Sequence, residues 1–331
     1  MEPFAPSSPR SGRIEGRSAV PRLLVIGGPT AAGKTAAAVD LAEALGGEIV
    51  NADSMQVYRR MDLGTAKPTA SERARARFHL VDVVPPEFPF HAGAFVKLAD
   101  EAIAGISARG RAPIVCGGTG MYIRALVRGL FAAPPVDRDL REKLYRAERE
   151  EGAGTLHARL AAVDPEKAAA IPPADLLRIV RALEVHAATG ATLTEHHRAH
   201  AAAPPRYDAF LACLTRDRAA LYAAIDRRVE EMIARGLAGE VEALLARGVP
   251  RSANAMQGLG YRQIAAHLAG ECTLAEAVER VKRDTRRYAK RQLTWFGRQP
   301  GVRWYAAPDE LPKLREEAAA FLNRPGDSVT P

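Results

Sequence analysis

Cysteine is scarce. The 331 residues hold three, Cys116, Cys213 and Cys272, without the paired spacing of a metal site or the density of a disulfide framework, which predicts a reducing compartment. No apolar run approaches membrane-spanning length, and the first residues lack the apolar core of a secretion signal. A cytoplasmic protein with no membrane partner is the expectation. Acid is also in short supply: 47 Lys and Arg face 39 Asp and Glu, a formal charge of +8, which suggests a polyanionic partner. What the chain has is apolar content, 47%, enough for one large domain or two smaller ones. Residues 1–20 are rich in Pro, Ser, Gly and Arg and read as a disordered tail. Within it, residues 14–17 spell a sequence that native tails and engineered protease sites both use.

The excess base is concentrated. Residues 280–291, RVKRDTRRYAKR, carry Arg280, Lys282, Arg283, Arg286, Arg287, Lys290 and Arg291 against one acid, Asp284. Thr273 and Glu276 make a capping box ahead of them and predict a helix. Arg280, Arg283, Arg287 and Arg291 then share one face, while Val278, Val281, Tyr288 and Trp295 fall on another, available to the core. A solvated helix normally mixes its charges, so this face suits nucleic-acid phosphates, with Arg283, Arg287 and Arg291 as the contacts. Residues 137–151 do mix both signs and read as an exposed helix.

GPTAAGKT, comprising Gly28, Pro29, Thr30, Ala31, Ala32, Gly33, Lys34 and Thr35, fits the G-x-x-x-x-G-K-[ST] phosphate loop. The apolar run Leu23, Leu24, Val25, Ile26 before it reads as a buried strand, and the Ala-rich stretch after it as a helix. Such a loop aims backbone N–H groups and a helix N-terminus at phosphate, with Lys34 as a point charge and the Thr35 hydroxyl as a Mg²⁺ ligand. The loop alone does not say whose phosphate it holds. Further polar groups sit at strand ends, where open α/β sheets place their sites: Asp53, Ser54 and Gln56 after the strand at 48–50, Thr119 after APIVC, and Asp82 at the end of FHLVDV, read as another strand. A nucleotide kinase with Asp82 near the metal, and a nucleic-acid-binding module without catalysis, remain open on these residues.

Six blocks occur together in order: GPTAAGKT, DSMQVYRRMDLGTAKP, CGGTGMYIRAL, RIVRALEV, AMQGLGYRQ and YAKRQLTWF. In this the chain resembles the tRNA dimethylallyltransferases, also called tRNA isopentenyltransferases, from about residue 23 to residue 304. The resemblance implies that the loop holds the diphosphate of dimethylallyl diphosphate and that no triphosphate is hydrolysed. It implies that Asp53 is the general base on the exocyclic amine of adenine, with Lys34 and Mg²⁺ on Thr35 stabilising the departing diphosphate. Asp53, Ser54, Met55, Gln56, Thr119, Arg141, Leu177, Arg178, Ile179, Val180 and Arg181 correspond to positions that contact the tRNA anticodon stem-loop. The target base must leave its stack to reach the donor, which suits a channel open at both ends. A relative that prenylates free adenine nucleotide would share the loop and Asp53 but would not need Arg283, Arg287 and Arg291.

The chain departs from the family pattern in four places. Ala32 stands where Ser is common, Arg60 replaces a Gly, and Phe78 replaces the first His of a pair; these read as tolerable. Leu177 replaces a Gln and cannot hydrogen-bond, which puts one implied tRNA contact in question. His196, His197 and His200 lack a further ligand and read as surface polar sequence rather than a metal site.

The predicted fold class is α/β: a P-loop NTPase-like parallel sheet core over residues 21–132 and 206–306, acting as a monomer. A helical insertion domain contacting tRNA is expected over 133–205, between the Pro-rich junctions AAPPVD and AAAPPRYD, with a C-terminal helix and tail over 307–331.

Overall fold

The computed structural model describes residues 21–131 and 134–324. The tail at 1–20, the expected boundary at Ala133 and residues 325–331 lie outside the described residues. Strand β1 (Arg22–Gly27) leads through the phosphate loop into helix α1 (Lys34–Leu45) and β2 (Gly47–Asn51). Then come α2 (Ala70–Arg75), β3 (Phe78–His79), α3 (Ala92–Ala108), β4 (Ala112–Cys116) and α4 (Gly120–Arg128). Five helices follow without a strand between them: α5 (Arg138–Glu151), α6 (Thr155–Val163), α7 (Pro165–Ala170), α8 (Leu176–Thr189) and α9 (Leu193–Ala202). The chain closes with β5 (Asp208–Thr215), α10 (Arg218–Ala234), α11 (Leu237–Ala246), α12 (Tyr261–Leu268), α13 (Leu274–Gly297), β6 (Val302–Ala306) and α14 (Leu311–Leu322).

The six strands form one parallel sheet in the order β3-β2-β4-β1-β5-β6. The run in β1 is apolar at successive positions because the sheet is covered on both faces. Leu23 and Val25 enter a cluster with Val50, Val115 and Phe95, while Leu24 and Ile26 enter another with Ile49, Ile114 and Leu41. Helices α5 to α9 have a separate cluster, including Leu156, Leu160, Ile179, Val180 and Val185. Among the described residues no helix is long and apolar enough to cross a membrane.

Two expectations are corrected. The strand read from FHLVDV is only Phe78–His79, because Leu80 and Asp82 take φ +62° and +60° and turn the chain out of the ladder. On α13 the buried positions are Ala277, Val281, Ala289, Gln292 and Phe296, whereas Val278 and Tyr288 are only half-buried and Trp295 packs partly buried against the cluster of Leu23 and Val25. The capping box does open α13: Glu276 N–H donates to Thr273 Oγ1 at 3.2 Å and Thr273 N–H to Glu276 Oε2 at 2.8 Å. Arg60 has φ +64°, which explains the Gly usual there; a left-handed non-Gly residue costs about 1–2 kcal/mol.

Candidate active site at the phosphate loop

The loop is shaped by its glycines. Gly28 has φ +122°, and a Cβ there would meet the Leu214 carbonyl of β5 at 2.4 Å. Gly33 ends the loop in the left-handed region and leaves the start of α1 without a side-chain cap, so its first N–H groups remain available to an anion. Thr30, Ala31, Gly33, Lys34 and Thr35 line a cavity of about 740 Å³. Gly28, Pro29 and Ala32 are buried and do not line that cavity; proline has no N–H to offer. Lys34 Nζ donates to the Pro29 carbonyl at 2.7 Å. Burial lowers the Lys34 pKa to about 8, against the pull of the Asp53 carboxylate.

Asp53 follows β2 and lines this cavity and a second one of about 340 Å³. Thr30, Thr65, Arg228 and Tyr288 are also common to both walls, so the two spaces meet at the carboxylate. Asp53 Oδ1 accepts from Met55 N–H at 2.8 Å and Gln56 N–H at 3.4 Å. Burial nevertheless raises its pKa, outweighing those bonds and the charge of Lys34. A carboxylate so placed is a stronger base than an exposed one.

Ser54 and Met55 line the second cavity, as does Arg291 from α13, whose guanidinium lies 5.6 Å from the Tyr288 ring centre. Thr119 Oγ1 accepts from Ser54 N–H at 3.0 Å and so couples the turn after β4 to the turn after β2. Gln56 lines the first cavity, and its amide nitrogen donates to the Thr65 and Ala66 carbonyls, both at 3.1 Å. Asp82, the residue a kinase would place near a metal, is paired with Lys67 and Arg73. Cys116 also borders the first cavity, but burial pushes its pKa up to about 12, which leaves a neutral thiol.

Two functional candidates escaped the sequence reading. Arg228 of α10 borders both cavities, and burial lowers its pKa; it sits in IDRRVEE, which looks like an ordinary charged helix face. Gln292 of α13 is buried and accepts from Thr30 N–H at 2.8 Å. Its position inside YAKRQLTWF was the available signal.

The family model described as "IPP transferase" matches residues 56–299. A protein of Anaeromyxobacter sp. (strain K) named tRNA dimethylallyltransferase is 54% identical over 296 residues, covering 88% of this chain and 95% of that one. The chain belongs to the tRNA dimethylallyltransferase family. Among solved structures, the full-length tRNA isopentenylpyrophosphate transferase of Bacillus halodurans is 38% identical with a TM-score of 0.68, covering 91% of this chain and 96% of that one. A eukaryotic dimethylallyltransferase acting on tRNA is 26% identical with a TM-score of 0.77, covering 93% and 81%.

The remaining residues carried over from the tRNA dimethylallyltransferases lie apart from both cavities. Arg141 in α5 forms two hydrogen bonds to Glu184 in α8. Arg178 pairs with Asp175, and Arg181 donates to the Pro134 carbonyl at 2.9 Å. Ile179 and Val180 are fully buried in the α5–α9 cluster, which corrects their expected tRNA contact: their side chains are core. Leu177 is 66% exposed. On α13, Arg283 and Arg287 are exposed and share Asp284. The three histidines have other partners: His196 meets Thr189 and stacks on Phe131, His197 meets Lys167, and His200 meets the Gly129 carbonyl.

Proposed function

We propose that this chain transfers the dimethylallyl group of dimethylallyl diphosphate to the exocyclic amine of the adenine immediately 3′ of the tRNA anticodon. A C–N bond forms at the allylic carbon, the C–O bond to diphosphate breaks, and the amine proton passes to Asp53. The observation that carries this reading is Asp53 at the meeting of two cavities, with the phosphate loop on one side and Arg291 and α13 on the other. A base beside the amine and cations around the leaving group are what such a displacement needs.

Lys34 and Arg228 neutralise diphosphate in the first cavity, and the flipped adenine enters through the second, flanked by Ser54 and Met55. The donor set suits Mg²⁺, since the Thr35 hydroxyl is a hard oxygen ligand and the neighbouring Cys116 thiol is neutral. The Thr35 hydroxyl would hold Mg²⁺, which would supply charge neutralisation beside the leaving diphosphate. The exposed Arg283 and Arg287 extend the basic face from Arg291 along α13 and suit the phosphates of an anticodon stem-loop. The protein acts as a monomer in this reading, and the reaction belongs in the cytoplasm with the tRNA pool.

Incubation with labelled dimethylallyl diphosphate and either tRNA or AMP tests the reading. Label is expected in tRNA alone, with no ATP consumed. Transfer to AMP would reassign the acceptor, and ATP hydrolysis coupled to turnover would replace the reading with a kinase.

A further inference from the structure

Gln292 bridges the two halves of the site. Its Oε1 accepts from Thr30 N–H in the phosphate loop at 2.8 Å, and its Nε2 donates to the Gly118 carbonyl at 2.9 Å. The side chain is buried, with 5% exposed. Its two partners have different tasks. Thr30 belongs to the loop that faces the leaving group, whereas Gly118 precedes Thr119, whose hydroxyl holds the turn containing Asp53 and Ser54. No backbone hydrogen bond joins Thr30 to Gly118 among the described residues. The amide fits only because residue 118 has no side chain: a Cβ there would meet Gln292 Nε2 at 2.3 Å.

We infer that Gln292 is a positioning residue for the transfer, fixing the separation of the phosphate loop from the turn that presents Asp53. The inference rests on the prenyl-transfer reading above. In a displacement the leaving diphosphate, the allylic carbon and the amine must be aligned. Errors of about 1 Å in such alignments cost on the order of a hundredfold in rate. An amide is suited to the task because it supplies one acceptor and one donor at once. Glutamate would lose the donor and leucine both.

The test is Gln292→Leu in the full-length protein. The expected result is a single-turnover transfer rate lowered about 30- to 100-fold, with the Kd values for tRNA and for inorganic diphosphate within about threefold of wild type. Hydrogen exchange of the amides in residues 28–35 should accelerate in the same variant. A transfer rate within threefold of wild type, or unchanged exchange in 28–35, would overturn the inference.

A double-mutant cycle guards against a folding defect. Gly118→Ala alone should slow transfer about tenfold or more, by displacing the amide. In a Gln292→Ala background it should cost less than about threefold, because the space is then free and the nearest atom to the added Cβ outside residue 292, the Gly28 carbonyl oxygen, is 3.7 Å away. Additive losses would overturn the inference. A wild-type protein that transfers nothing to tRNA would instead sink the prenyl-transfer reading, and the exchange measurement would still decide whether Gln292 orders the loop.

Discussion

Arg141 lays its guanidinium on both carboxylate oxygens of Glu184, at 2.7 and 2.8 Å, and Glu184 is only 2% exposed. The arginine is thereby committed to α8, in a geometry lysine cannot reproduce. Arg141→Ala should destabilise the protein by about 2–3 kcal/mol, below the roughly 3–5 typical when one partner of a buried pair is removed, because Arg181 remains on Glu184. Chemical denaturation measures this. A variant with wild-type stability and lost tRNA binding would return Arg141 to the RNA.

Asp53 and Lys34 set the pH dependence. Transfer needs Asp53 ionised and Lys34 charged, and burial moves the two pKa values toward each other. On the acid side kcat/KM should fall from above the ordinary carboxylate range, and on the alkaline side from about pH 8, where Lys34 loses its proton. Lys34→Arg should push the alkaline limb up beyond the measurable range, since arginine stays protonated. A wild-type profile flat through pH 9 would show that the Lys34 charge is not required.

Asp53→Asn should lower kcat about a hundred- to ten-thousandfold while leaving tRNA and diphosphate binding near wild type. It should also raise the melting temperature at pH 7. The folded state holds the Asp53 pKa above its unfolded value, so the ionised carboxylate costs stability at neutral pH. That cost vanishes once the pH falls below the unfolded value, and the two melting curves should coincide near pH 3. A loss of stability on Asp53→Asn at pH 7 would contradict this account.

How far the sequence could be read follows from where each signal lies. The phosphate loop was legible because its shape depends on glycines within eight consecutive residues, and the β1 run because a doubly covered strand is apolar throughout. The shortness of β3 was not, since the positive φ of Leu80 and Asp82 has no residue signature of the kind glycine gives. Gln292 lies 262 residues from Thr30, and no local pattern reports such a bond. Ile179 and Val180 were assigned to RNA by position in a motif, whereas the helical spacing of Ile179, Ala182 and Val185, with Val180 beside them, already marked a core face.

The basic face of α13 predicts a salt-dependent affinity. Replacing Arg283, Arg287 and Arg291 by Ala should weaken tRNA binding and flatten the log–log salt slope by up to about one for each lost phosphate contact. Diphosphate affinity should change least, although Arg291 borders the second cavity. A folded triple variant with the wild-type slope would move tRNA binding to the α5–α9 helices.

Leu177 offers a gain of function. With 66% of its surface exposed, Leu177→Gln should alter stability by no more than about 0.5 kcal/mol. A hydrogen bond restored to RNA would tighten tRNA binding by roughly two- to tenfold, from the usual 0.5–1.5 kcal/mol. Unchanged affinity would mean that this position does not reach the RNA.

The register of β1 against β5 has a consequence for synthesis. Arg22 pairs with Asp208 and Gly27 with Cys213, so the central strand of the sheet is translated long before one of its two neighbours. At about 5–20 residues per second the delay is on the order of ten to forty seconds. During that interval β1 can pair only on its β4 side, and the unpaired edge beside the nascent phosphate loop is open to other chains. Helices α5 to α9 emerge within the same interval and close their own cluster from local contacts. Slow decoding after residue 202 would lengthen the exposure of that edge, and chaperone capture of ribosome-bound chains should peak before residue 215 leaves the exit tunnel.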